Sequence, residues 1–187
     1  MSIVESPVDQ TLSWRVIEER SARTENPRHR AMLNKVAEHL RAEASGDLEA
    51  LLGTLGPSPE YHIWFDGRDE GPKGLDGIRG FYNQLVEDKR GVLEFAIDRI
   101  VVDDGAVLTE GWLSAIQQGR ICRKYGWVVD DDDAAYLVRR RTVIIWPFDA
   151  AGEMIGEDGY TSTDLGAARK LEPEELPDAY TSLFADA

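Results

Sequence analysis

The sequence predicts an α+β fold in which a strongly curved, mainly antiparallel sheet wraps as a cone-shaped roll around about three helices. Two observations support this fold class. Apolar residues recur with helical spacing through most of the first half of the chain. Consecutive β-rich segments separated by short turns then continue to residue 161. This order places the helices on one face of the sheet, and the mouth of the cone can hold a small ligand.

The composition indicates one acidic domain. The 187 residues include 35 Asp and Glu against 21 Lys and Arg, which gives a net charge of −14 at pH 7. A field of that sign repels phosphate backbones and anionic surfaces, so we expect no nucleic-acid and no membrane partner. Cys122 is the single cysteine, and no Cys/His cluster predicts a metal site. Without a leader-like or membrane-spanning apolar run, we expect a cytoplasmic protein.

The N-terminal part of the chain predicts helices. Segment 8–23 has apolar side chains among charges, which indicates a short amphipathic helix or a partly ordered arm. Pro27 can begin a clear amphipathic helix, and Gly46 ends it. Asp47 is a suitable N-cap for a short helix over 48–52.

One strand, one helix and a meander follow. The β-rich run 61–65 predicts a strand, and the apolar spacing over 75–89 predicts a third long helix. The meander strands are predicted over 92–102, 107–116, 120–129, 135–148 and 153–161. The aspartates 130–133 lack the spacing of a calcium loop and indicate a solvated hairpin tip.

The predicted organisation has three parts. Residues 1–26 form an N-terminal helical arm and residues 27–165 form the cone domain. Residues 166–187 form an acidic C-terminal tail, which is expected to be mobile with one helical turn near Glu174.

Three segments together resemble the SnoaL-like branch of the nuclear transport factor two-like superfamily. They are Ala44-Ser45-Gly46-Asp47-Leu48, the run 74–82 (GLDGIRGFY) and the run 146–160 (WPFDAAGEMIGEDGY), and the match spans residues 28–163. The resemblance implies a cystatin-like cone, a homodimer through the outer sheet face and a pocket against the concave face. Relatives include ketosteroid isomerases, dehydratases, epoxide hydrolases, polyketide cyclases and binding proteins, so lyase or isomerase chemistry is implied without a single reaction.

Three ionisable residues are the predicted catalytic residues: His62, Glu110 and Glu157. The resemblance implies that the Glu157 side chain points into the pocket. Two roles are open for it there: a general acid or base with a raised pKa, or the ion-pair partner of an arginine. Glu110 alternates with apolar residues on its strand, which marks it as a pocket candidate. His62 is the general base if its face of the strand turns inward, and the sequence leaves that open.

Matching to ketosteroid isomerases suggests further pocket positions. His39 falls where those enzymes carry a tyrosine donor, and it either donates in the pocket or packs the helix. Arg140 shares a strand face with Ile144, and it either lines the pocket or belongs to an arginine run at a dimer interface. The predicted substrate-binding residues are His39, Tyr61, Trp64, Asp66, Trp112, Arg140, Ile144 and Trp146.

These residues predict a cofactor-independent enzyme that acts by acid–base chemistry on a small, apolar or weakly polar organic molecule, as a dehydratase, isomerase, cyclase or hydrolase. No nucleophile elbow, P-loop or dinucleotide fingerprint is present in the sequence. The alternative is a non-catalytic ligand-binding or dimerisation module. In that case the inward acids pair with the run 139–141, and Trp64, Trp112 and Trp146 fill the cone.

Overall fold

The structure, a computed structural model, describes residues 6–65, 67–162 and 164–185. Within them it has an α+β fold, as predicted, with six helices packed on one mixed sheet. The helices are α1 (Leu12–Ala22), α2 (Pro27–Ser45), α3 (Leu48–Gly53), α4 (Gly74–Glu87), α5 (Gly119–Lys124) and α6 (Asp178–Thr181). No helix in these ranges is both long and apolar enough for a membrane span.

The sheet has seven strands in the order β2-β1-β6-β5-β4-β3, with β7 paired to β5. Only β1 and β6 are parallel, and the other pairs are antiparallel. The strands are β1 (Leu55–Phe65), β2 (Arg68–Asp69), β3 (Leu93–Val102), β4 (Ala106–Gln118), β5 (Ala135–Pro147), β6 (Met154–Thr161) and β7 (Arg169–Lys170). The sheet is not closed, so its curvature leaves a concave face for the helices.

Helix α2 begins and ends as its sequence predicts. The Asn26 side chain accepts hydrogen bonds from the amides of Arg28 and His29, and Pro27 occupies the first turn. Gly46 ends the helix in the left-handed conformation, with φ 70°. The helix packs its apolar stripe into the core through Met32, Leu33, Val36, Ala37 and Leu40.

The prediction of a strand over 120–129 is wrong. The chain forms α5 and then an irregular segment, and β4 pairs directly with β5 up to Gln118 and Ala135, with a further bond from the Gly119 amide to the Ala134 carbonyl oxygen at 2.8 Å. The apolar residues that gave the β-like pattern are buried without strand pairing. Cys122 and Trp127 pack on Tyr136 and Val138 at one end of the sheet. Burial in a helix and loop therefore explains the apolar pattern.

The C-terminal tail is packed, which corrects the prediction of a mobile extension. Leu171 and Tyr180 are 6% and 5% exposed and cover Ile116 and Ala135 on the sheet. Lys170 ties the tail to the aspartate run through ion pairs of 3.5 Å to Asp130 and 3.1 Å to Asp131. The apolar ends of β4 and β5 require a cover, and the tail supplies it.

Candidate active site

The sheet face turned toward the helices, called the inner face, carries five of the predicted site residues. Ile144 and Trp146 lie on it in β5, with 7% and 1% of their surface exposed. In the parallel pair, Tyr61 of β1 is in register with Glu157 of β6, so both side chains project from the same face. Tyr61 Oη reaches His39 of α2. The fold therefore brings these residues together beneath α2.

His39 is fully buried among three hydroxyl groups. Its Nδ1 lies 2.6 Å from Thr54 Oγ1, and its Nε2 lies 3.2 Å from Tyr61 Oη and 3.4 Å from Tyr82 Oη. The Thr54 hydroxyl donates its own proton to the Leu51 carbonyl oxygen at 2.6 Å. Thr54 therefore accepts from Nδ1–H of His39, which assigns the imidazole proton to Nδ1 and makes Nε2 an acceptor.

This arrangement makes His39 an orienting acceptor. Burial lowers the pKa of His39 to about 3, so the ring is neutral near pH 7. Its Nε2 lone pair accepts one well-aligned bond, and Tyr61 is the nearer donor. Burial raises the pKa of both tyrosines well above the ordinary value, so their hydroxyls stay protonated. Of the two tyrosines, Tyr82 has its hydroxyl farther from Nε2, and it also lines the cavity described below.

Two carboxyl groups form a pair beside this network, Glu43 on α2 and Glu157 on β6. Burial raises the pKa of Glu43 to about 7. Burial, and then the negative charges of Glu43 and Asp158, raise the pKa of Glu157 to about 8. Within the described residues, no cation or hydrogen-bond donor stabilises either carboxylate. The ionisation of one therefore opposes that of the other, and the pair holds protons near neutral pH.

A cavity of about 310 Å³ lies between the C-terminal ends of α2 and α4, and of the two carboxyl groups Glu43 lines it. Glu43 and Tyr82 supply polar groups to its lining, and Ala179 and Leu183 of the tail close one side. Its main apolar lining residues are Leu48, Leu51, Leu85, Val86 and Leu93. An apolar wall with a few convergent polar groups is typical of a small-molecule site.

The sequence patterns do not single out Glu43 or Tyr82, although a weak signal exists for both. Glu43 lies four residues after His39, and Tyr82 lies four residues after the fully buried Ile78. Residues four apart share a helix face. A glutamate near a helix end is usually solvated, so only the cavity at this end of α2 distinguishes Glu43.

The prediction that His62 joins Glu157 in one pocket is wrong. Because Tyr61 points inward, the adjacent His62 projects from the opposite, outer face of β1. There its Nδ1 lies 2.7 Å from Asp69 Oδ2. A hydrogen bond from Lys73, at 2.9 Å, is the main cause that holds the pKa of Asp69 well below its usual range. Trp64 also lies on the outer face and stacks on the His62 ring.

Glu110 and Trp112 are also on the outer face, contrary to the prediction. Their neighbour Thr109 on β4 is fully buried on the inner side. Glu110 forms ion pairs of 2.7 Å with Arg141 and 2.9 Å with Arg99. The hydrogen bond from Arg141 is the first cause of the lowered pKa of Glu110. Glu110 is therefore a compensated surface carboxylate, and Trp112 is 41% exposed.

The remaining predicted residues are Arg140 and Asp66. Arg140 lies on the inner face, where its guanidinium carbon is 4.0 Å from the centre of the Trp127 ring. Asp66 lies outside the described residues. The described part of the chain holds no group of three or more His, Cys, Asp and Glu side chains placed for a metal ion.

Comparisons with known proteins find structural similarity alone. No protein-family profile and no curated protein matches the chain. A protein from Shewanella putrefaciens CN-32, assigned as a SnoaL-like polyketide cyclase, is 13% identical with a TM-score of 0.61, over 80% of this chain and 89% of that one. An NTF2-like protein from Anabaena variabilis ATCC 29413 is 11% identical with a TM-score of 0.55, over 77% and 97%.

A third similar structure is SalBIII, an epoxide hydrolase/cyclase-like enzyme with a role in pyran ring formation in the polyether salinomycin. It is 15% identical with a TM-score of 0.52, over 72% of this chain and 92% of that one. At these identities the similarity establishes the fold and leaves the activity open. The chain therefore has the fold that SnoaL-like and NTF2-like proteins share.

Proposed function

We propose that this protein is a cofactor-independent enzyme that transfers protons on a small, mostly apolar organic molecule held beside Glu43 and Glu157. The observation that carries the proposal is the carboxyl pair, in which both pKa values are raised and Glu43 lines a cavity. Carboxyl groups tuned toward neutral pH by burial are typical of general acids and bases. Lyase, isomerase, cyclase and hydrolase reactions all use such proton transfers.

The two carboxyl groups take different roles because Glu43, and not Glu157, lines the cavity. Burial favours the protonated form of both groups near neutral pH, so the pair can both hold and release a proton there. Glu43 is then the base that takes a proton from a substrate carbon, and Glu157 is the acid that returns one. The Tyr82 hydroxyl donates a hydrogen bond to the developing oxyanion.

The alternative of a non-catalytic module has less support. It requires the inward acids to pair with the arginine run, but Arg141 pairs with the outer-face Glu110 instead. It also requires Trp64, Trp112 and Trp146 to fill the cone. Trp146 is buried at 1% exposure, but Trp64 and Trp112 are 37% and 41% exposed. Two of the similar structures are described as cyclase or epoxide hydrolase/cyclase-like proteins, which also favours an enzyme.

Proton abstraction can be tested without knowledge of the natural substrate. The probe is 2-tetralone in D₂O, because exchange of its α-hydrogens, followed by proton NMR, reports enolate formation directly. We expect the protein to accelerate exchange, with a maximum between about pH 7 and about pH 8. Glu43→Gln and Glu157→Gln should each slow the catalysed exchange by about a hundredfold, the usual contribution of one positioned acid or base.

Glu110→Gln is the matched control, because it removes a glutamate from the outer face and should leave the exchange rate unchanged. Exchange that is equally fast in the wild type and in both inner-face variants would show that the carboxyl pair has no catalytic role. Binding of 2-tetralone without accelerated exchange would favour the ligand-binding module.

A further inference from the structure

The inner face carries a second polar group, centred on Arg140, that the proton chemistry does not use. Arg140 lies between two aromatic rings, 4.0 Å from the centre of Trp127 and 5.7 Å from that of Phe65. Its Nε is buried without a hydrogen-bond partner. The chain has a net charge of −14, yet no acidic residue in the described part of the chain forms an ion pair with Arg140. Stacking fixes the guanidinium plane and leaves its N–H edge for a ligand.

Arg90 is a second cation near Arg140. Its Nη1 donates to Tyr125 Oη at 3.0 Å, and its guanidinium carbon lies 4.5 Å from the centre of that ring. Its Nε is also buried without a partner. Burial, and then repulsion from Arg90, lower the pKa of Arg140. Each guanidinium group has a buried Nε without a partner and no described counter-ion, so an anion that reaches both would relieve their repulsion.

Hydroxyl donors complete this site. Thr142 shares the inner face of β5 with Arg140, is 3% exposed and has no partner for its Oγ1. Tyr125 Oη accepts from Arg90, so its own proton remains available. Guanidinium groups and hydroxyls are the donors that bind carboxylate and phosphate oxygens.

We propose that Arg140 and Arg90, with Thr142, form a binding site for the anionic head of an organic ligand, either a carboxylate or a phosphate. Of these three residues, Arg90 lines the cavity of about 310 Å³, so an anion held by Arg90 could place its apolar body in that cavity. The ligand class is therefore an amphipathic organic anion with a mostly apolar body. This inference concerns binding, and it does not rest on the proton transfer proposed above.

Isothermal titration calorimetry with three ligands of one shape tests the site. The probes are 2-naphthoate, 2-naphthyl phosphate and the neutral 2-naphthamide. We expect at least one anion to bind about tenfold or more tightly than the amide, which is the effect of one charge-assisted hydrogen bond. The preferred anion identifies the head group. Equal affinity for all three probes, or no binding of either anion, would overturn the proposal.

Variants locate the binding to the arginines. Arg140→Gln should lower the affinity for the anions by about tenfold and leave the affinity for the amide unchanged. Arg140→Lys should retain part of the preference for the anions. Arg139→Gln is the matched control, because that neighbour is exposed and lies over Trp112 on the outer face. Arg90→Gln provides a second test if Arg140→Gln fails to fold. Wild-type anion affinity in a folded Arg140→Gln or Arg90→Gln variant contradicts the assignment.

The calorimetry is independent of turnover. Binding of 2-naphthoate through Arg140 without exchange of 2-tetralone would support the anion site and contradict the proposed enzyme activity. Exchange of 2-tetralone without a preference for anions would contradict the anion site and support the catalytic role of the carboxyl pair.

Discussion

The Glu43–Glu157 pair links function to stability at the scale of single residues. Burial raises the pKa of Glu157 from an ordinary 4.5 to about 8, so the folded state binds a proton more tightly than the unfolded state does. Below about pH 4.5 both states are protonated, and the residue does not affect the free energy of unfolding. As the pH rises toward 8, the unfolded state loses its proton first, and the folded state becomes less stable.

Glu157→Gln should therefore stabilise the protein in alkaline solution and not in acid. We expect the free energy of unfolding at pH 9 to rise by about 1–3 kcal/mol relative to the wild type, because the buried charge is removed. The difference should disappear near pH 4.5. Urea unfolding at both pH values measures it.

The control is Glu110→Gln, for which the expected change in the free energy of unfolding has the opposite sign. Glu110 has a lowered pKa because Arg141 hydrogen-bonds to it, so its charge stabilises the folded state above its ordinary pKa. Glu110→Gln should lower stability at pH 7, and the loss should fade as the pH falls through the lowered pKa. If the effect of Glu157→Gln did not change with pH, Glu157 would not hold its proton in the folded state.

At the scale of elements, close backbone contact positions the site. The parallel pair β1 and β6 brings Tyr61 and Glu157 into register, and Gly156 precedes that glutamate. A Cβ atom at position 156 would lie 1.9 Å from the carbonyl oxygen of Glu60. No side chain fits there without separating the two strands, so glycine at this position sets the spacing of the site.

Gly156→Ala should consequently lower the free energy of unfolding by at least about 2 kcal/mol, because overpacking against backbone has no flexible neighbour to relieve it. Gly80→Ala is the matched control. Gly80 lies within α4 with no atom within 4 Å of an added Cβ, so alanine there should stabilise by about 0.5–1 kcal/mol. Urea unfolding compares both variants, and equal effects would refute the packing argument.

At the scale of the whole molecule, the outer sheet face carries exposed aromatic residues. Trp64 and Tyr160 are 37% and 45% exposed and stack on each other, with ring centres 6.5 Å apart. Trp112 lies on the same face, 41% exposed. A monomer rarely leaves such side chains grouped in water, so this face is where the predicted homodimer would form.

Trp64→Glu should convert a dimer into a monomer, because an unpaired charge would be buried in an apolar interface. Size-exclusion chromatography with light scattering gives the mass of each species. Val128→Glu is the control, since Val128 is 91% exposed in the segment between α5 and β5, away from the sheet face. A wild-type protein that stays monomeric at high concentration would exclude the dimer.

Local patterns were sufficient where a signal depends on neighbouring residues. The capped helix α2, the short helix α3 and the strand alternation that points Glu157 inward follow from the sequence by periodicity, capping and resemblance. The errors fall where one apolar pattern fits two structures. Residues 120–129 are buried in a helix and loop, and the tail packs through Leu171 and Tyr180, because burial does not specify the partner surface.

The sequence by itself determined the fold class, the superfamily resemblance and the inward direction of Glu157. Only the tertiary structure decided which face of β1 meets the helices, and this choice moved His62 outward and brought Tyr61 to His39. It also paired Glu43 with Glu157 and placed Arg90 near Arg140. The physical reason is that a pKa or a hydrogen bond depends on groups close in space, and these partners lie 22 or more residues apart in the chain.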